Sequence, residues 1–231
     1  MKPVLICQNV PRESPGNIFR WLGKRKYEVM HFSNLPKPNL SLYAGLIVLG
    51  GPDSANDKTE KMDNELEIVR TAVYSGMPYL GVCLGMQVLV KATGGEVVKN
   101  SKKEIGLQDS SEKDFVVRLT SEGKKSRIFV GLPEVFTVFQ LHGETVIPTH
   151  MHTILATGID CHVQAVQYGS HAFGIQFHTE LDDMLFTAWI NENEDLKTKN
   201  RATLSQDYER LKDKISEAGE KIFGNFVKLL D

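Results

Sequence analysis

Apolar residues gather in short runs separated by segments with helical spacing. Val4-Leu5-Ile6-Cys7, Glu28-Val29-Met30-His31-Phe32, Gly45-Leu46-Ile47-Val48-Leu49 and Met77-Pro78-Tyr79-Leu80-Gly81-Val82 are the first four predicted strands. Between them, Asn17 to Lys24 places Ile18, Trp21 and Leu22 on one side, and Lys61 to Ser75 spaces Leu66, Val69 and Val73 as a helix does. Another helix is expected from Leu84 to Ala92. Three of these strands are nearly continuous apolar runs without clean alternation, as in strands covered on both faces. With the β-α-β-α order, this predicts a single α/β domain with a mostly parallel central sheet and helices on both faces. Ligands of such sheets bind beyond the carboxyl ends of the strands, where Gly50-Gly51 and Cys83 stand.

The second half is richer in strands. Phe115 to Leu119, Val135 to Phe139, Thr153 to Ala156, Gln164 to Tyr168 and Ala172 to Phe177 are expected to add antiparallel pieces at the sheet edge. Residues 191–203 are strongly polar and read as a surface excursion after a core of about residues 1–190. Leu204, Tyr208, Leu211, Ile215, Ala218, Ile222, Phe226 and Leu229 then recur every three or four positions. They predict an amphipathic helix over 204–231 that packs on the sheet, with docking to a partner as the minority reading. No internal repeat or low-complexity linker divides the chain, so one domain over 1–231 is expected.

Composition narrows the function classes. At 231 residues and 41% hydrophobic, the chain can bury one sizeable core. Lys plus Arg is 27 against 29 for Asp plus Glu, a formal charge of -2, which argues against nucleic acid or an anionic membrane surface as the main ligand. Cys7, Cys83 and Cys161 form no C-x-x-C pair, so neither a disulfide framework nor a zinc ribbon is expected. The N-terminal apolar run is shorter than a signal peptide needs, and no stretch approaches the roughly 20 apolar residues of a membrane span. A cytoplasmic protein is expected.

Gly81-Val82-Cys83-Leu84-Gly85 follows an apolar strand and opens a helix, the setting of a nucleophile elbow with Cys in place of Ser. A tight strand-to-helix turn needs minimal side chains on either side, and the positive end of the helix dipole favours a thiolate. Read alone, the pentapeptide also fits a buried structural cysteine between packing glycines. A predicted strand runs up to His178, and Glu180 follows two residues on, so in extended chain the two side chains point the same way. Glu180 could then orient His178 as the base for Cys83. The Gly50-Gly51-Pro52 turn ends a neighbouring strand, and Gly51 N–H with Leu84 N–H is the natural donor pair for a tetrahedral oxyanion.

Gly50-Gly51-Pro52, Gly81-Val82-Cys83-Leu84-Gly85-Met86-Gln87 and Gly174-Ile175-Gln176-Phe177-His178-Thr179-Glu180 together resemble a class I (triad-type) glutamine amidotransferase, in order and in approximate spacing. Asn9-Val10-Pro11, Ser54-Ala55-Asn56-Asp57, Lys103-Glu104-Ile105-Gly106 and His142-Gly143-Glu144-Thr145 resemble its stand-alone, GMP-synthase-like branch. The resemblance implies a flavodoxin-like fold and hydrolysis of L-glutamine through a γ-glutamyl thioester on Cys83, with His178 as base then acid and Glu180 orienting it. It also implies substrate contacts from Gln87 and from backbone around His142, Gly143 and Glu144, and a place for Lys103-Glu104 near the same pocket. The chain departs from the family at Thr179, where Pro is common, and at Leu141, where the branch often has Trp.

No cofactor is expected. His150-x-His152 lacks further metal ligands at suitable spacing, and Gly123-Lys124-Lys125-Ser126 is not a phosphate loop. Without an ATP site of its own, the chain is expected to pass ammonia to a separate ATP-dependent synthetase partner. The alternatives are a γ-glutamyl peptidase or hydrolase acting alone, or a catalytically silent regulatory subunit. The intact Cys83, His178 and Glu180 speak against the silent subunit.

Overall fold

The structure is a computed structural model that describes residues 1–32, 37–109 and 111–230. Among them, β1 (Val4–Gln8), β2 (Tyr27–His31), β3 (Gly45–Val48), β4 (Tyr79–Val82) and β11 (Ala172–Ile175) pair in parallel, in the order β2-β1-β3-β4-β11. Beyond β11 the sheet continues antiparallel through β10 (Ala165–Tyr168), β9 (His152–Thr157), β6 (Val116–Leu119) and β7 (Val135–Thr137), giving nine strands. The antiparallel extension is therefore four strands wide, more than an edge trimming. A separate two-stranded ribbon pairs β5 (Glu96–Gly106) with β8 (Gln140–Ile147).

Alternation along β1 shows why its sequence is apolar throughout. Val4 and Ile6 join one core cluster and Leu5 and Cys7 the other, on opposite faces of the sheet. The Leu5 face is covered by α2 (Glu60–Tyr74) and α3 (Leu84–Ala92). The Val4 face is covered by α1 (Ile18–Trp21) and α7 (Arg201–Val227), where Trp21 stacks on Phe223 with ring centroids 5.4 Å apart. β2 is the exposed edge, with Tyr27 and Val29 in solvent.

α7 begins at Arg201, three residues before the expected start, because the Asn200 side chain accepts from Thr203 N–H at 3.0 Å and caps it. It ends at Val227, and Asp231 lies outside the described residues. The polar stretch 191–203 holds the end of α5 (Asp183–Glu192) and the short α6 (Glu194–Lys197). Leu181, Leu185, Trp189, Leu196 and the first half of α7 form a third apolar cluster with Ile105 and Phe139. α4 (Ser121–Lys125), α5, α6, β5 and β8 are not among the elements expected from sequence. Among the described residues, no helix is long and apolar enough to cross a membrane.

Candidate active site

The turn between β4 and α3 carries Cys83 at φ 51° and ψ -106°. This is a strained conformation for a residue with a Cβ. Two close approaches force the flanking glycines. A Cβ on Gly81 would lie 2.4 Å from the Gly85 carbonyl, and one on Gly85 would lie 2.3 Å from Val48 O. Backbone thus packs on backbone, and Cys83 is presented at the start of α3, where four amide N–H groups have no helical partner.

β11 is extended past Ile175 by a bridge in which His178 N–H donates to Phe139 O at 2.9 Å and Phe139 N–H donates to His178 O at 3.2 Å. The chain bends at Gln176 and Phe177 on the way to this bridge, and Gln176, His178 and Glu180 stand at alternate positions. His178 Nδ1 meets Glu180 Oε1 at 2.6 Å, and Thr179 N–H donates to Glu180 Oε2 at 2.9 Å. Asn17 N–H, just before α1, donates to Glu180 O at 2.8 Å and ties this segment to the first half of the chain. His178 and Glu180 are both buried. Burial alone would lower the histidine pKa. The Glu180 carboxylate and the contact with Cys83 outweigh it and hold the imidazole pKa well above its ordinary value.

Gly50 brings the two halves together. A Cβ there would stand 3.2 Å from His178 Cε1 and 3.5 Å from Cys83 Cβ, so the thiol and the imidazole converge over this glycine. Gln176 Nε2 donates to Cys83 Sγ at 3.5 Å, and Gln87 Nε2 donates to Gln176 Oε1 at 3.2 Å and to Glu144 O at 3.4 Å. Cys83 Sγ also lies 3.8 Å from Leu141 O.

These groups open into a cleft of about 650 Å³. Of the residues singled out in the sequence, Gly51, Cys83, Gln87, His142, Gly143, Glu144 and His178 line it. Leu84 lies buried beneath, and Glu180 sits behind the imidazole. Arg12, Glu13 and Trp189 are additions that the sequence motifs do not reach. Glu13 is a buried carboxyl in the cleft wall; burial pushes its pKa up against the pull of His178 and Arg12. Trp189 packs on His178 from α5. The mouth is closed on one side by Lys103 and Asp195, paired at 2.7 Å, so the polar stretch after α5 is cleft wall. Gln176 had a legible signal: the same two-residue parity that links His178 to Glu180 includes it.

His142 turns its ring away from the cleft. Nε2 meets Glu104 Oε2 at 2.8 Å and Nδ1 meets Glu144 O at 3.0 Å. Glu104 also accepts from Gln164 Nε2 at 2.8 Å and Cys161 N–H at 3.2 Å. Among the described residues, Glu104, His142 and Cys161 bring ligand-type atoms within 4.8 Å of one another. These atoms already have protein partners, Cys161 Sγ through Thr145 Oγ1 at 3.2 Å, so the cluster is a hydrogen-bonded strut under β8. His152 is bonded to Thr93 and Thr149.

Residues 15–193 match the family of class-I glutamine amidotransferases. The chain belongs to that family. Its members are generally enzymes that hydrolyse glutamine. A glutamine amidotransferase-like protein of Salmonella typhimurium is 29% identical over 177 residues, which cover 73% of this chain and 71% of that protein. One subunit of the glutamine-hydrolysing GMP synthase of Sulfurisphaera tokodaii is 34% identical over 150 residues, 63% of this chain and 72% of that subunit. The chain spans about a quarter of the length of the full-length GMP synthases it matches. The crystal structure of a glutamine amidotransferase from Methylobacillus flagellatus superposes with a TM-score of 0.86 at 25% identity, covering 100% of this chain and 96% of that one.

Proposed function

We propose that the chain hydrolyses the γ-amide of L-glutamine through a thioester on Cys83. The observation that carries this reading is the strained elbow placing Cys83 in one cleft with an imidazole held by a carboxylate. The Cys83 thiol gives its proton to His178, and its sulfur attacks the amide carbon. The oxyanion that forms faces Gly51 N–H and Leu84 N–H. Collapse breaks the C–N bond, and His178 returns the proton to the departing nitrogen, which leaves as ammonia. Water then attacks the thioester with His178 as base, releasing glutamate and restoring the thiol. Glu180 keeps the imidazole oriented and stabilises its charged form without taking the proton. Gln87 and the backbone of His142, Gly143 and Glu144 contact the substrate.

The ammonia is passed to a separate ATP-dependent synthetase, of GMP-synthase-like type. The similarity to separately encoded GMP synthase subunits, which covers most of their length, supports this step. The cleft volume favours a second reading, in which γ-glutamyl compounds larger than glutamine are cleaved without a partner.

Ammonia release from L-glutamine, and amine release from γ-glutamyl dipeptides, separate these readings when measured with and without cell extract. Release from glutamine that disappears in Cys83→Ala is expected. Cleavage of dipeptides alone would favour the second reading. No release from either substrate, with or without extract, would contradict both.

A further inference from the structure

Asn9 follows directly on β1, and its side chain lies against the proposed oxyanion loop. A Cβ on Gly51 would stand 2.7 Å from Asn9 Cβ and 3.0 Å from Asn9 Cγ. Asn9 Nδ2 donates to Leu49 O at 3.3 Å and to Glu65 Oε1, on α2, also at 3.3 Å. Two atoms are left over. Asn9 Oδ1 and Glu65 Oε2 are both buried without a hydrogen-bond partner. With Glu65 ionised, both are acceptors, and one belongs to a fully buried charge. Such an arrangement is costly. A proton on Glu65 Oε2 would remove the buried charge and turn one of the two orphaned acceptors into a donor.

We propose that Glu65 is a protonated positioning residue, whose carboxylic acid pairs with the Asn9 carboxamide and through it holds the Gly51 amide in place for the oxyanion. This rests on the reading of Gly51 as an oxyanion donor given above.

The titratable groups facing Glu65 fit a neutral acid. Lys61, on the same helix, is turned to Asp53 and to Asn9 O, which it reaches at 3.2 Å. Cys7 on β1 and Tyr79 on β4 are held neutral by burial. Burial lifts Glu65 itself up to about 8, against the pull of Asn9 and Lys61 and with a push from Asp53. Ionisation above that value sets two acceptors against each other and pushes Asn9 off Gly51.

The test compares wild type, Glu65→Gln and Glu65→Ala in kcat, KM and Tm across a pH series. Glutamine mimics the acid without its proton, since Nε2–H can donate to Asn9 Oδ1 and Oε1 can accept from Nδ2. Glu65→Gln is expected to keep kcat within about three-fold at neutral pH and to lose the Glu65 share of the alkaline fall. Glu65→Ala is expected to lower kcat about ten-fold or more with KM little changed. The unfolded carboxyl ionises near pH ~4.3, so wild-type Tm relative to Glu65→Gln should fall from about pH 5 to about pH 8 and then level. Overturning results are a Glu65→Gln as inactive as Glu65→Ala, or a Tm difference flat across that window. The Tm comparison needs no turnover, so it judges the acid–amide pair even if glutamine proves not to be the substrate.

Discussion

The indole of Trp189 meets the imidazole of His178 edge to face, with ring centroids 4.8 Å apart and planes at 76°. The ring also touches Phe139, whose backbone bridges His178, at 5.5 Å. α5 thus clamps the strand end that presents the imidazole.

Trp189→Phe keeps an aromatic wall and removes an indole N–H that is buried without a partner. It should fold, with kcat lowered less than about ten-fold. Trp189→Ala opens a cavity and should cost about 3–5 kcal/mol of stability. Denaturant melts and glutamine turnover on both variants check this; an active, fully stable Trp189→Ala would remove α5 from the account.

The raised His178 pKa has a direction that can be tested. Its charged form is stabilised in the folded chain, so this stability is fully present below the unfolded histidine value, about 6.5. It is lost as pH rises through the higher folded value. Glu180→Gln removes the carboxylate charge, and the His178 titration seen by NMR should move down. The amide oxygen still accepts from the ring, so Glu180→Gln should retain measurable turnover, whereas His178→Ala should lose about 10²–10⁴-fold or more. The double variant should be little worse than His178→Ala. A full additional Glu180 factor would mean that Glu180 acts independently of the imidazole.

The elbow makes a sharp demand at Gly85. Gly85→Ala drives a Cβ into the Val48 carbonyl and should cost more than about 3 kcal/mol, or prevent folding. Gly224, inside α7, has nothing within 4 Å of the same atom, and Gly224→Ala should add about 0.5–1 kcal/mol. Chemical denaturation of the two variants side by side checks both signs.

Much of this was legible in sequence where a local rule acted alone. β1, β3 and β4 announced themselves as short apolar runs because both of their faces are covered. Cys83 stood out because a strand, a glycine pair and a helix start coincide. His178 and Glu180 were linked by strand parity, and that parity holds past the end of β11 because Phe139 bridges His178. What escaped depends on contacts between distant segments. β5 spans 96–106 with a mixed pattern of buried and exposed positions, and only its pairing with β8 makes it a strand. α5 places Leu185, Phe186, Trp189 and Ile190 at helical spacing, but the residues that cover that face include Ile105 and Phe139, distant in sequence. Glu13 and Glu65 are buried carboxyls, and nothing in their neighbours along the chain distinguishes them from surface charges.

The central claim is that Cys83 alone is the nucleophile. A glutamine-analogue electrophile such as a diazo-ketone, followed by intact-mass and peptide mass spectrometry, tests it directly. Burial pushes the Cys7 thiol far up and the Cys161 thiol up to about 11, so neither offers a thiolate near neutral pH. The predicted result is one label per chain, on the Cys83 peptide, blocked by excess L-glutamine and absent in Cys83→Ala. A label on Cys7 or Cys161, or full labelling that L-glutamine does not slow, would contradict the account.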